Sequence, residues 1–158
     1  MEALPRVDDH AVDVRASPER VWSALEWVLR ASFGGPVAAS LARALGCRET
    51  TVRGPRVALA GSTLPGFEVA AARPPAHLAL EGGHRFARYR LTFDVEEIGT
   101  GGSRLRALTE AAFPGASGRV YRGLVIGSRA HLLLIRRLLR AVARRAEHPG
   151  ARTGGITG

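Results

Sequence analysis

Five polar side chains in this chain fall where chemistry on an enclosed ligand would need them: Arg85, Tyr89, Thr109, Ser128 and His131. His131 sits near the middle of an apolar helical stripe, and its titration range suits acid–base work. The ordinary alternative is a buried histidine bonded to a strand carbonyl. Tyr89 offers a hydroxyl on an apolar strand face, or a packed aromatic with its hydroxyl at the rim. Arg85 has the same strand parity and would anchor a ligand carboxylate, unless it is a surface arginine at a strand end. Phe93 and Leu124 supply apolar wall to the same space.

Other chemistries find no support. His10, His77, His84, His131 and His148 share no metal-ligand spacing and no paired acid, so neither a metal nor a cofactor is expected. The segment Ile126-Gly127-Ser128-Arg129 is helical in pattern and is not a nucleophile elbow. Gly99 to Gly102 reads as a hairpin turn, without the lysine and following helix of a phosphate loop. Cys47 is the single cysteine, read as a free thiol with no internal disulfide available to it.

The elements that position these residues are legible. Val12, Val14 and Ala16 alternate with Asp13 and Arg15 in a first strand from His10 to Ala16. Ser17-Pro18-Glu19 opens a helix to about Arg30, with Ser17 as cap and Pro18 at its first position. That helix buries Val21, Trp22 and Leu25, while Trp27 is partly exposed. A second helix spans Pro36 to Leu45 and stops at Gly46. Short edge strands are expected at Thr51–Arg53 and Val57–Leu59, then strands at Phe67–Arg73 and His77–Glu81.

The strongest hairpin joins Arg85–Glu97 to Ser103–Phe113, and charge argues its register. Pairing residues whose numbers sum to 200 sets Asp94 against Arg106, Glu96 against Arg104 and Arg90 against Glu110. The other face then pairs Val95 with Leu105, Phe93 with Ala107, Leu91 with Thr109 and Tyr89 with Ala111.

One uninterrupted helix is predicted from Ser117 to Arg145. Val120, Tyr121, Leu124, Ser128, His131, Ile135, Leu138, Leu139 and Val142 form its apolar face, and Arg119, Arg122, Arg129, Arg136, Arg137, Arg140 and Arg144 the other. Such a helix needs a broad apolar partner. The strands supply one as a curved antiparallel sheet, so the fold class is α+β. The space between sheet and helix is the expected pocket.

The chain has 158 residues, 46% of them apolar, enough for one domain with a substantial core. Residues 1–9 read as a lead-in, 10–146 as the domain, and 147–158 as a disordered tail. There is no signal-peptide core or membrane-spanning run, which points to a cytoplasmic protein without stable membrane insertion. The net charge of +9 arises from 23 arginines, with no lysine, asparagine or glutamine. That is the composition of a high-GC, actinobacterial type of genome. The charge is therefore weak evidence for nucleic acid, which is not expected as a partner. No aromatics interleave with the helix arginines, as single-strand binding would require.

Two segments carry a family resemblance. Val12–Leu25, VDVRASPERVWSAL, resembles the first strand and helix of the helix-grip superfamily, the SRPBCC or START-like group that includes birch-pollen-allergen-like proteins and polyketide cyclases. Phe113–Arg145, FPGASGRVYRGLVIGSRAHLLLIRRLLRAVARR, resembles the closing helix of actinobacterial members, and His84–Tyr89 a sheet segment of the same group. The chain lacks the Trp-Pro-x-Trp type of sequence that often follows the first helix in cyclase-like members. Ala31–Gly46 stands there instead.

The resemblance implies a helix-grip fold, a sheet wrapped around a long C-terminal helix, over roughly residues 10 to 146. It also implies a small apolar ligand such as a lipid, sterol or polyketide, held mainly by burial. Three functions follow: a carrier or sensor, a polyketide cyclase-like enzyme using His131 or Tyr89, or a docking module using the arginine face. The scarcity of catalytic groups favours the first.

Overall fold

The computed structural model describes residues 3–56, 59–127 and 129–148, and only the backbone of residues 125–127. Among these residues the elements run β1 (Arg6–Val14), α1 (Pro18–Phe33), α2 (Pro36–Leu45), β2 (Thr63–Leu64), β3 (Phe67–Arg73), β4 (His77–His84), β5 (Ala87–Ile98), β6 (Gly102–Ala112), α3 (Gly115–Gly127) and α4 (Ala130–Glu147). The strands form one antiparallel sheet in the order β1-β6-β5-β4-β3-β2. Every connection from β2 to β6 is therefore a hairpin, and α1 and α2 fill the single long crossover between β1 and β2.

The β5–β6 ladder has the register that charge and apolarity select together, with Asp94 opposite Arg106, Arg90 opposite Glu110 and Tyr89 opposite Ala111. The ion pairs, however, form largely with other neighbours. Arg106 pairs with Asp9 and Arg104 with Asp13, both across the β1–β6 seam, and Arg90 takes Glu81 on β4 as well as Glu110. A residue in a sheet has two lateral neighbours, and here the carboxylates of the flanking strands reach the guanidiniums better.

The helix starts and stops follow local chemistry. Ser17 Oγ accepts from the Arg20 amide, Pro18 opens α1, and Gly46 closes α2 in the left-handed region at φ 73°. Leu25, Leu29, Leu78, Leu80, Phe93 and Leu105 lie at the centre of one core, closed by Ile135, Leu138, Leu139 and Val142 from α4.

Several expectations are corrected. β1 begins at Arg6, so the expected lead-in supplies the first four of the nine residues of an edge strand. β4 continues to His84. The expected edge strand at Thr51–Arg53 is a single bridge from Arg53 to Thr63, while Val57 and Ala58 lie outside the described residues, as does the tail beyond His148.

The predicted single C-terminal helix is two. Arg129, at φ 57°, interrupts it. Four glycines, at 115, 118, 123 and 127, weaken α3 as a helix. The break lets α3 and α4 serve different surfaces. Tyr121 on α3 stacks on Phe86 at 5.7 Å, whereas α4 packs on α1 and β1. As a consequence Val120 and Leu124 are exposed, at 67% and 68%, rather than part of one continuous buried stripe. The arginine face is solvent-exposed as expected at Arg119, Arg122, Arg136, Arg137 and Arg140.

Candidate functional site

Where the helix pair diverges from the sheet, a cleft of about 280 Å³ remains between them. Its floor is the concave face of β5 and β6: Ala87, Tyr89, Leu91, Thr109 and Ala111. Phe33 at the end of α1, Leu41 and Leu45 on α2, Phe67 on β3, and Tyr121, His131, Leu134 and Ile135 on α3 and α4 build the walls. Most of this surface is carbon. The volume is just below the usual range for ligand pockets.

Among the residues singled out in the sequence, Tyr89, Thr109 and His131 do line this cleft. Tyr89 donates its hydroxyl to the Gly66 carbonyl at 2.8 Å, and its ring packs edge-on against Phe67. Burial, helped by the nearby Cys47 thiol, pushes its ionisation well above the ordinary tyrosine range. It is therefore a neutral structural donor.

Arg85 is not in the cleft. It occupies the tight turn between β4 and β5, where strand parity no longer applies, and donates to the Ala44 carbonyl at 3.0 Å. Arg85 instead borders a polar groove of about 810 Å³ shared with Arg48, Glu49, Glu68, Glu81 and Arg88. That groove is larger than the cleft, but Glu68, Glu81 and Arg88 belong to the opposite face of the sheet from the core, so it is not the sheet–helix space. Phe93 has the right parity but is fully buried under the helices, part of the solid core. Leu124 points to solvent. Ser128 lies outside the described residues.

The polar end of the cleft holds a residue that sequence reasoning missed. His131 Nε2 approaches Asp8 Oδ2 at 2.7 Å, a paired acid after all, though without hydrogen-bond alignment. Asp8 falls within the charged stretch, residues 1–9, expected to be a lead-in. The register is unbroken from Val14 back to Asp8, which pairs Asp8 with Thr109 and sends Asp9 outward to Arg106; the bulge lies only beyond it, between Arg6 and Asp8. Asp8, His10 and Val12 therefore share the concave face. Alternation carried back from Val14 through Val12 and His10 was the available signal.

Among the described residues no three His, Cys, Asp or Glu side chains are grouped to hold a metal ion, and no helix is long and apolar enough to cross a membrane.

No family model matches the chain. No curated protein matches it. Solved structures do. Norcoclaurine synthase from Thalictrum flavum, in complex with dopamine and hydroxybenzaldehyde, is similar at TM-score 0.58 and 13% identity, over 92% of this chain and 88% of that one. A polyketide-cyclase-like protein from Corynebacterium glutamicum is similar at TM-score 0.54 and 15% identity, over 96% and 98%. A conserved protein from Geobacillus kaustophilus is similar at TM-score 0.52 and 18% identity, over 87% and 93%. Near-complete coverage in both directions, together with the antiparallel sheet closed by a C-terminal helix, gives the chain a helix-grip fold.

Proposed function

We propose that the protein binds a small apolar molecule in the cleft between β5–β6 and the helices, as a carrier or sensor. The observation that carries this reading is the cleft itself: carbon-rich walls from the sheet and all four helices around about 280 Å³. Leu41 and Leu134 extend it to the surface as half-exposed apolar residues at its mouth. Burial of apolar area supplies about 25 cal/mol per Å², before the costs of association. Two solved proteins of the same fold, a synthase holding aromatic molecules and a polyketide-cyclase-like protein, are consistent with an apolar or aromatic ligand here.

The Asp8–His131 contact favours one second reading, an enzyme of the polyketide cyclase type. A carboxylate close beside an imidazole is an arrangement from which a general base can be built.

Fluorescence of an apolar naphthalene-type dye, titrated into wild type and Ala111→Trp, tests the binding reading. Ala111 is on the floor, and an indole there fills the space. Dye uptake by wild type and its loss in Ala111→Trp is the expected result. Leu124→Trp, outside the cleft, should bind as wild type. Equal binding by Ala111→Trp, or none by wild type, overturns the reading.

A further inference from the structure

The concave face has a concentration of unmet hydrogen-bonding capacity. Asp8 Oδ1 and Oδ2, Thr109 Oγ1, His131 Nε2 and His10 Nε2 are all buried, and none has an aligned hydrogen-bond partner. These atoms are not scattered. Asp8 and Thr109 face each other across the β1–β6 ladder, His131 reaches Asp8 from α4, and His10 is the next same-face residue along β1. Buried polar groups in folded proteins are almost always satisfied, so such a cluster at one end of an apolar cleft demands an explanation.

Resting on the apolar-cleft reading, we propose that Asp8, Thr109 and His131 form a polar subsite that receives a hydroxyl group of an otherwise apolar, ring-type ligand. Thr109 and His131 line the cleft, and Asp8 stands directly behind them. The set is rich in acceptors: two carboxylate oxygens and a threonine oxygen. It therefore fits a group that donates. A ligand carboxylate is opposed by Asp8; Arg85 faces elsewhere, and Arg90, which does line the cleft, is already paired with Glu81 and Glu110. A charged head would carry a desolvation cost in this carbon-rich cleft that a neutral hydroxyl does not. The cleft volume of about 280 Å³ accommodates two fused rings bearing that hydroxyl.

The test compares 2-naphthol, naphthalene and 2-methoxynaphthalene, which share one ring system and of which only 2-naphthol carries a donor. Dissociation constants are measured for wild type, Thr109→Val and Asp8→Asn. Thr109→Val keeps the shape and removes an unpartnered hydroxyl, so it should fold, as thermal unfolding will verify. In wild type 2-naphthol should bind more tightly than 2-methoxynaphthalene. Its preference over naphthalene should fall about tenfold in Thr109→Val, and as much in Asp8→Asn. An unchanged preference in Thr109→Val, or a methoxy compound that binds as well as the naphthol, overturns the subsite while leaving the cleft intact. If wild type binds none of the three, the cleft reading falls and the subsite with it.

Discussion

Gly82 lies opposite Tyr89 in the β4–β5 ladder, and a Cβ at Gly82 would strike both the Tyr89 ring and the Gly66 carbonyl that the Tyr89 hydroxyl holds. The missing side chain is what lets the tyrosine cross β4 and close that end of the cleft. Gly82→Ala should cost about 2 kcal/mol or more, since one of the two clashes is with backbone. Gly83→Ala, whose Cβ meets the Ala87 carbonyl at an ordinary 3.5 Å, should stay within about 1 kcal/mol. Urea unfolding of the two variants decides it. Equal destabilisation would mean that the packing over Gly82 is loose.

The same tyrosine predicts alkaline behaviour. Burial raises the Tyr89 ionisation above its ordinary value of 10.0, and burial raises that of Tyr121 as well. The folded state thus holds these protons more tightly than the unfolded chain. Their contribution is complete below about pH 10 and is lost as pH rises above it. Stability should fall in alkali, and less steeply in Tyr89→Phe. At neutral pH that variant should lose about 1 kcal/mol, for the bond to Gly66. A wild-type alkaline slope retained in full by Tyr89→Phe would place the sensitive group elsewhere.

His84 gives the opposite sign. Burial lowers its ionisation from the ordinary 6.5, and its Nδ1 accepts the Phe86 amide at 3.2 Å, which requires that nitrogen unprotonated. The unfolded chain therefore takes up the proton first. The contribution of His84 is present above about pH 6.5 and is lost as pH falls. Asp9 and Asp13, held below the ordinary 3.8 chiefly by hydrogen bonds from Arg106 and Arg104, add a second loss at lower pH. Chemical unfolding between pH 7 and 5 should show a decline that His84→Phe reduces. No decline in wild type would refute the assignment.

What the sequence made legible was what repeats. Alternation along β5 and β6 has many terms, and a wrong register would have put every charge on the core side. The cap at Ser17 and the stop at Gly46 are single-residue signals with local causes. Single irregularities broke the pattern elsewhere. The two-residue turn after His84 removed Arg85 from the cleft, and the interruption at Arg129 turned Leu124 to solvent. Each shifts phase by an amount that periodicity alone does not encode. Thus Tyr89, Thr109 and His131, on regular stretches, reach the cleft; Asp8, beside His131, shares the parity of Val14, Val12 and His10 and was obscured only by its charge.

Arg129 is the one non-glycine among the described residues with positive φ, at 57°, and it caps α4 without any side-chain bond. An L-residue in that region has its Cβ crowded by the backbone, a strain of about 1 kcal/mol that glycine does not feel. Arg129→Gly should therefore raise stability by up to about 1 kcal/mol, although it removes a charged side chain. Thermal unfolding measures the sign. A loss of stability would mean that the Arg129 side chain contributes a contact that outweighs its backbone strain.

The Asp8–His131 contact predicts strong coupling between β1 and α4. The Asp8 side chain is 7% exposed and that of His131 is 21%, so neither is well solvated. Removing one partner strands the other in a poorly hydrated site, whereas replacing both with apolar groups removes the problem. Asp8→Leu alone should destabilise by roughly 1–3 kcal/mol, and His131→Leu alone by a similar amount, the cost of a buried polar group left unsatisfied. The double variant should be no worse than either single one, and by the same reasoning should equal or exceed wild-type stability. Its effect on binding should be distinct: hydroxyl recognition lost, apolar probe retained. A double-mutant cycle in urea supplies the coupling energy. Additive losses would show that the 2.7 Å approach is incidental and that the two side chains are stabilised by separate surroundings.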